Sequence, residues 1–288
     1  MLTLLHQQPA GTKVMAEPRF KLLGPLAITH RGVDIAPSAP KLRALLVSLL
    51  LNANRTVGSA ELVREIWGDE PPPSAHATLQ TYIVKLRSLF RDALGLSATH
   101  VNQKMLLTYS GGYTLRVDPE QLDITEFERL VSAGSAALRT GNYEVAAHSL
   151  GRSLALWRGS IIHGGHWTQT LAQIVRLEER RFYAQTMRIE ADLCLGRHHE
   201  MISELASLTI EHPLHESAQA MLMIALHRAG RMSAALDVFR SFRGRIKREL
   251  GIGPSTRLQA LHNALLSADP VLNDRQLTSE MVLDLLTV

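Results

Sequence analysis

Ser74, Ala77, Gln80, Thr81, Val84, Lys85 and Ser88 fall at helical spacing within residues 73–90 and would occupy one side of a helix. They combine short hydrogen-bonding groups, small apolar groups and one cation, with almost no acid. That mixture matches what a DNA major groove presents: donors, acceptors and thymine methyls. Gln80, Thr81, Val84 and Lys85 are the residues expected to face bases. The opposite side carries Leu79, Tyr82, Ile83, Leu86 and Phe90, which at about 100° per residue form a stripe for a core. A helix whose polar side merely meets water would carry the same stripe, so the neighbouring elements have to decide.

Two helices precede this one. The first spans residues 39–51 and would bury Leu42, Leu45, Leu46, Leu49 and Leu50. The second starts at Ser59 as N-cap, with Glu61 and Leu62 behind it, and ends at Trp67-Gly68. A hairpin over residues 101–117 follows, in which Met105, Leu107 and Tyr109 alternate, Ser110-Gly111-Gly112 turns, and Tyr113, Leu115 and Val117 alternate again. Three helices and a hairpin are the order of a winged helix-turn-helix, whose third helix reads bases while the wing lies against backbone or minor groove. Lys41, Arg43, Arg55, Arg87, Lys104 and Tyr109 are then expected at the DNA backbone or on the wing, with Arg116 a further basic wing residue. Arg87 lies beside the core stripe on the helical wheel.

The other reactive side chains form weaker patterns. His163 and His166, or His198 and His199, offer imidazoles without a nearby Cys or acid at zinc spacing, so no metal is expected. Glu178 and Glu179 diverge on a helix and suit a solvated face better than a carboxylate pair. No Gly-x-x-x-x-Gly-Lys loop occurs, so neither nucleotide chemistry nor a cofactor is expected. The single cysteine, Cys194, cannot close an internal disulfide and reads as a buried structural thiol in a reducing cytoplasm. The first residues lack a basic leader, and no run approaches the ~18 apolar residues of a membrane span. A cytoplasmic, nucleoid-associated protein without membrane contact is the expectation.

Residues 19–118 hold 12 Lys and Arg against 7 Asp and Glu, or +5, while residues 119–288 hold 18 against 19, or −1. The basic excess thus sits in the segment that carries the groove-like face. With 288 residues and 45% hydrophobic content, the chain can fill two cores. Residues 1–18 read as a loose arm, 19–118 as an α+β winged-helix domain, 119–268 as an all-α helical-repeat domain and 269–288 as a tail in which Met281 and Leu285 suit a short amphipathic helix. The fold class is therefore mainly α with a small β component. Leu195-Gly196-Arg197 and Ala229-Gly230-Arg231 stand 34 residues apart, the tetratricopeptide period. Gly141 and Gly230 are each followed five positions on by a small residue, Ala146 and Ala235, where the next helix must pack closely.

Residues 20–117 resemble the OmpR-type effector domain of the Streptomyces antibiotic regulatory protein family, a domain also known from two-component regulators. The likeness rests on Leu22-Leu23-Gly24-Pro25-Leu26, Pro40-Lys41-Leu42-Arg43-Ala44-Leu45-Leu46, Leu51-Asn52-Ala53-Asn54-Arg55, Leu62-Val63 with Ile66-Trp67-Gly68, Thr78-Leu79-Gln80-Thr81-Tyr82-Ile83 with Leu86-Arg87, and Gly112-Tyr113. The second half resembles the bacterial transcriptional activation domain through Ala155-Leu156-Trp157-Arg158-Gly159, Arg176-Leu177-Glu178-Glu179-Arg180-Arg181, His212-Pro213-Leu214-His215-Glu216, Ala225-Leu226-His227-Arg228-Ala229-Gly230-Arg231 and Glu249-Leu250-Gly251-Ile252. Tyr109 stands where that family often has Arg, His227 where it usually has Tyr, and Gly253 where Asp is usual. The resemblance implies a pathway-specific activator of an antibiotic gene cluster that catalyses no reaction. It also implies double-stranded DNA with direct repeats near the promoter as partner, head-to-tail dimers on that DNA, and recruitment of RNA polymerase by the helical half. Two other readings stay open: an interaction adaptor built on the helical repeats, or a ligand sensor with secondary DNA binding.

Overall fold

The computed structural model describes residues 17–161 and 169–274, with the side chain of Gln169 left aside. The chain divides into two compact units, one holding residues up to 125 together with 157–174, the other holding 126–156 and 175 onward. The histidine pair His163 and His166, the greater part of the N-terminal arm and residues 275–288 lie outside the described residues.

The first unit opens with an element that the residue pattern did not suggest, an antiparallel meander of β1 (Arg19–Lys21), β2 (Ala27–His30) and β3 (Val33–Asp34). Arg31 and Gly32 both take positive φ between β2 and β3, the twist a two-residue hairpin needs. Helix α1 (Pro40–Leu51) follows with proline in its first turn, where the missing N–H costs nothing. It is sunk on nearly all sides, and all five of its expected leucines are buried. A short strand β4 (Val57–Gly58) leads into α2 (Ser59–Trp67). Ser59 is the first helical residue here and Gly58 the N-cap, one position earlier than expected. Helix α3 (Ala75–Leu94) runs four residues past Phe90 and stops at Gly95, which takes the left-handed conformation.

The hairpin is shorter than its residue pattern suggested. Residues 98–105 are helical, α4 (Ala98–His100) running into a π-turn (Val101–Met105), and only β5 (Leu106–Tyr109) and β6 (Gly112–Leu115) form the wing. Val101 and Met105 are both buried four residues apart, a helical interval, and Leu106 rather than Leu107 points inward. The wing sheet has the order β4-β6-β5, so β6 is its central strand and all four of its residues are buried. Arg87 of α3 seals this sheet to the helices, donating from Nε and Nη2 to Leu106 O and from Nη2 to Thr108 Oγ1.

Asp123 stands at the head of α5 (Asp123–Arg139). Its carboxylate accepts from Leu22 N at 2.8 and 2.9 Å and from Leu23 N at 3.0 Å. Burial pushes its carboxyl above the ordinary range, against the pull of these N–H donors and of Arg158. From 35 residues further on, Arg158 returns to the same loop: its N–H donates to Leu23 O at 2.9 Å and its Nη1 to Pro25 O at 2.9 Å. Gly24 between them has φ +122°, and a Cβ there would meet Arg158 at 3.1 Å. Only glycine admits both the conformation and the approach.

The second unit is helical: most of α5, then α6 (Tyr143–Leu154), most of α7 (Gln169–Cys194), α8 (His198–Glu211), α9 (Glu216–Arg228), α10 (Met232–Leu250) and α11 (Thr256–Ser267). Gly141, Gly196 and Gly230 end α5, α7 and α9 with φ of +73°, +82° and +75°. At each corner the residue after the glycine donates to the carbonyl five positions back: Asn142 to Ala137, Arg197 to Asp192, Arg231 to Leu226. That is one Schellman motif used three times. Ala146 and Ala235 are fully buried, and at Gly134 a Cβ would strike Leu150 at 2.5 Å. Between α7 and α8, Arg188 pairs with Asp192 at 2.7 Å and with Glu204, and Asp192 also takes Arg197 at 2.8 Å. Cys194 is half-buried rather than fully buried, and its thiol is pushed up to about 12 by burial and by the nearby Glu190.

Candidate nucleic-acid interface

The inward stripe of α3 is Ala75, Leu79, Ile83, Leu86, Phe90 and Leu94, each at most 5% exposed. Because these residues fix the helix's rotation, Gln80, Thr81, Val84 and Lys85 all fall on the exposed side. Val84 is 59% exposed, an apolar side chain open to solvent among polar ones. Thr81 Oγ1 donates its proton back to Ala77 O at 3.1 Å, so the hydroxyl shows acceptor lone pairs outward. Ser88 is half-buried at the edge of this face.

A ladder of rings and cations steadies the face from behind. Tyr82 of α3 stacks on Trp67 of α2 with centroids 6.0 Å apart and planes within 4°. Lys41 Nζ of α1 lies 5.2 Å from the Trp67 ring, and Lys85 Nζ lies 5.9 Å from that of Tyr82. Three helices thus meet through one stack, which turns two side chains with four or more rotatable bonds into directed ones. Trp67 is half-buried, not sealed.

The expected backbone and wing residues divide into two groups. Arg55, Lys104 and Tyr109 are exposed, as is Lys41. Arg55 follows Asn54, whose side chain binds Val117 through O (2.8 Å) and N (3.1 Å) while its own N–H donates to Leu115 O at 2.9 Å, so the loop is tied to the foot of the wing. Tyr109 OH accepts from Arg116 Nη2 at 3.3 Å, and Arg116 and Lys104 line one pocket of about 270 Å³ with His30 and His100. Arg43 and Arg87 are engaged inside the unit. Arg43 donates to Leu26 O (2.8 Å) and Pro37 O (3.1 Å), and burial presses the Arg87 guanidinium below its ordinary value. The clasp of Asp123 and Arg158 and the Trp67–Tyr82 stack escaped residue-type reasoning, although the Leu22–Leu26 and Trp157–Gly159 motifs that build the clasp are visible in the sequence.

Among the described residues, no three of His, Cys, Asp or Glu stand together in a group that could hold a metal, and no helix is long and apolar enough to cross a membrane. His198 and His199 lie with ring centroids 5.8 Å apart.

A three-helix unit with a wing, joined in one chain to a helical-repeat unit, is the build of a bacterial transcriptional regulator. Residues 36–115 match the family described as transcriptional regulatory protein, C terminal, and residues 122–266 match the bacterial transcriptional activator domain. The regulatory protein DnrI of Streptomyces peucetius is 42% identical over 253 residues, which cover 88% of this chain and 93% of DnrI. AfsR of Streptomyces coelicolor is 38% identical over 92% of this chain, which spans 26% of that longer protein. The solved structure of Mycobacterium tuberculosis EmbR in complex with a low-affinity phosphopeptide superposes with a TM-score of 0.82 at 29% identity, covering 94% of this chain and 69% of EmbR. The chain belongs to the Streptomyces antibiotic regulatory protein family of transcriptional activators and is not an enzyme.

Proposed function

We propose that this chain switches on a secondary-metabolite gene cluster, in the cytoplasm and on the nucleoid, by binding direct repeats near its promoter. Residues 19–118 make the DNA contact, with α3 in the major groove and the β5–β6 wing against the backbone or minor groove. Gln80, Thr81, Val84 and Lys85 face bases, while Lys41, Arg55, Lys104 and Tyr109 sit toward phosphates. Residues 119–268 support head-to-tail contact between protomers and engage RNA polymerase. The observation that carries this reading is the exposed side of α3, where a donor-acceptor amide, a hydroxyl with outward lone pairs, an open valine and one cation lie together without a carboxylate. Glutamine suits adenine, lysine suits guanine and the valine methyls suit a thymine methyl.

The test is selection of bound duplexes from a random pool by the full chain. Recovered sequences should contain two half-sites in the same orientation, about 10 to 10.5 base pairs apart so that both protomers share one DNA face. Inverted half-sites would overturn the head-to-tail arrangement. Transcription of a promoter carrying the selected site, with purified polymerase and saturating protein, should then exceed that without protein; no stimulation at saturation would overturn the polymerase contact.

A further inference from the structure

Helix α10 carries five cations within nine residues, Arg240, Arg243, Arg245, Lys247 and Arg248, in a half of the chain that is otherwise acidic. Three of them, Arg240, Arg243 and Lys247, share one face with Gly244 and border a groove of about 690 Å³ against α11. The floor is the half-buried His262 ring, backed by the buried Phe239, together with Ile252. Phe239 stacks on His262 at 4.0 Å, Arg243 lies 6.0 Å from the Phe239 ring, and the 55%-exposed Ile252 closes one end beside Pro254. Gln259 and Asn263 form the far wall, and among the described residues no carboxylate lines the groove. Asp237, one turn away, pairs with Arg240, which leaves Arg243 and Lys247 as the dominant field; Lys247 Nζ also donates to Gly251 O at 3.1 Å. At Gly244 an added Cβ would meet nothing within 4 Å, so the glycine opens the groove rather than easing a close contact.

We propose that this groove docks an acidic amphipathic helix of another protein, its apolar stripe on Ile252 and the His262 ring and its carboxylates on Arg243 and Lys247. Charge complementarity points to an acidic occupant, and the aromatic and aliphatic floor points to a peptide rather than a phosphate backbone, which has no apolar stripe to fill it. The groove is built from the second unit and shares no residue with α3, so the inference does not depend on how DNA is read.

The probe is a synthetic helical peptide with Leu at i, i+3, i+4 and i+7 and Glu at most other positions, titrated by fluorescence anisotropy against the full chain. Arg243→Glu combined with Lys247→Glu should weaken binding about tenfold or more, because both rim charges then repel the peptide. Gly244→Leu should weaken it to a similar degree while keeping every charge, and the change from glycine favours the helix, so the variant folds. Arg245→Glu with Arg248→Glu alters net charge equally off the groove and should leave affinity within about twofold of the parent. Equal losses for the on-groove and off-groove charge variants would reduce the effect to net charge and overturn the proposal. So would wild-type affinity in Gly244→Leu, binding that appears only after residues 275–288 are removed, or charge variants that lose non-operator duplex DNA while keeping the peptide.

Discussion

Helices α3 and α10 are nearly equal in length, 20 and 19 residues, and each presents an open face in its unit. They differ in how charge is used. The face of α3 holds one lysine among small hydrogen-bonding and apolar groups, whereas α10 gathers five cations and an aromatic floor. The contrast has a physical logic. A cation attracts any phosphate regardless of sequence, so a surface that must distinguish base pairs is served by short groups of defined donor and acceptor sense, with charge kept to its margins. A surface that captures one acidic helix gains from dense charge, because the field steers encounter and the floor supplies the fit.

The largest expected effects test the inward faces that set both rotations. Leu79→Ala should destabilise the first unit by about 2–5 kcal/mol and Phe242→Ala the second by about 3–5 kcal/mol, through lost transfer energy and the cavity left behind. Denaturant titrations followed separately for the two units check this. A Leu79→Ala protein that melts as wild type yet loses DNA affinity would mean that α3 is rotated from the orientation described.

Next come the outward residues of α3. Lys85→Ala or Thr81→Ala should cost roughly 1–3 kcal/mol on a selected site and relax preference at one base position. Titration against selected and scrambled duplexes decides it, because equal losses on both would mean that α3 too acts through charge rather than through defined donors and acceptors, and would break the comparison.

A third expectation separates two arginine and lysine roles that look alike in sequence. Arg87→Ala should lower stability by about 1–3 kcal/mol, since Leu106 O and Thr108 Oγ1 lose a charged donor, and should leave the salt dependence of DNA binding unchanged. Lys104→Ala should do the reverse, lowering the slope of log affinity against log salt by about one with no change in melting. The smallest effect concerns Cys194. With its thiol pushed up to about 12, it should react with iodoacetamide at pH 8 far more slowly in the folded protein than in denaturant. Equal rates would show that the burial described around it is wrong.

Much of this architecture was legible because it rests on periodicity. The stripe of α3, the leucines of α1 and the 34-residue interval of glycine corners each reflect one local rule, and tertiary packing did not override them. The wing was legible as a turn but not in extent: Val101 and Met105 satisfy helical and strand intervals alike in so short a segment, and only their burial on one side separates the two. The meander at the start carries too few residues per strand to show a period. Arg43 and Arg87 illustrate a different limit. Residue type says that a guanidinium can meet phosphate, while its use on Leu26 O or Leu106 O depends on carbonyls that come near only after folding. The partition of the chain was hidden for the same reason, since Asp123 reads as an ordinary acid in a first helical turn and Arg158 as part of a later helix end.

That clasp has a consequence for synthesis. As the chain leaves the ribosome, α1 to α3 and the wing emerge complete, but the carbonyls of Leu23 and Pro25 still lack the donors that Arg158 brings. At about 5–20 residues per second, some 2–7 s separate Asp123 from Arg158 on the growing polypeptide. During that interval the nascent first unit carries an unfinished edge, and α5 and α6 are made before it closes. The order of translation therefore places the closing of the first unit after α5 and α6 of its successor have been made.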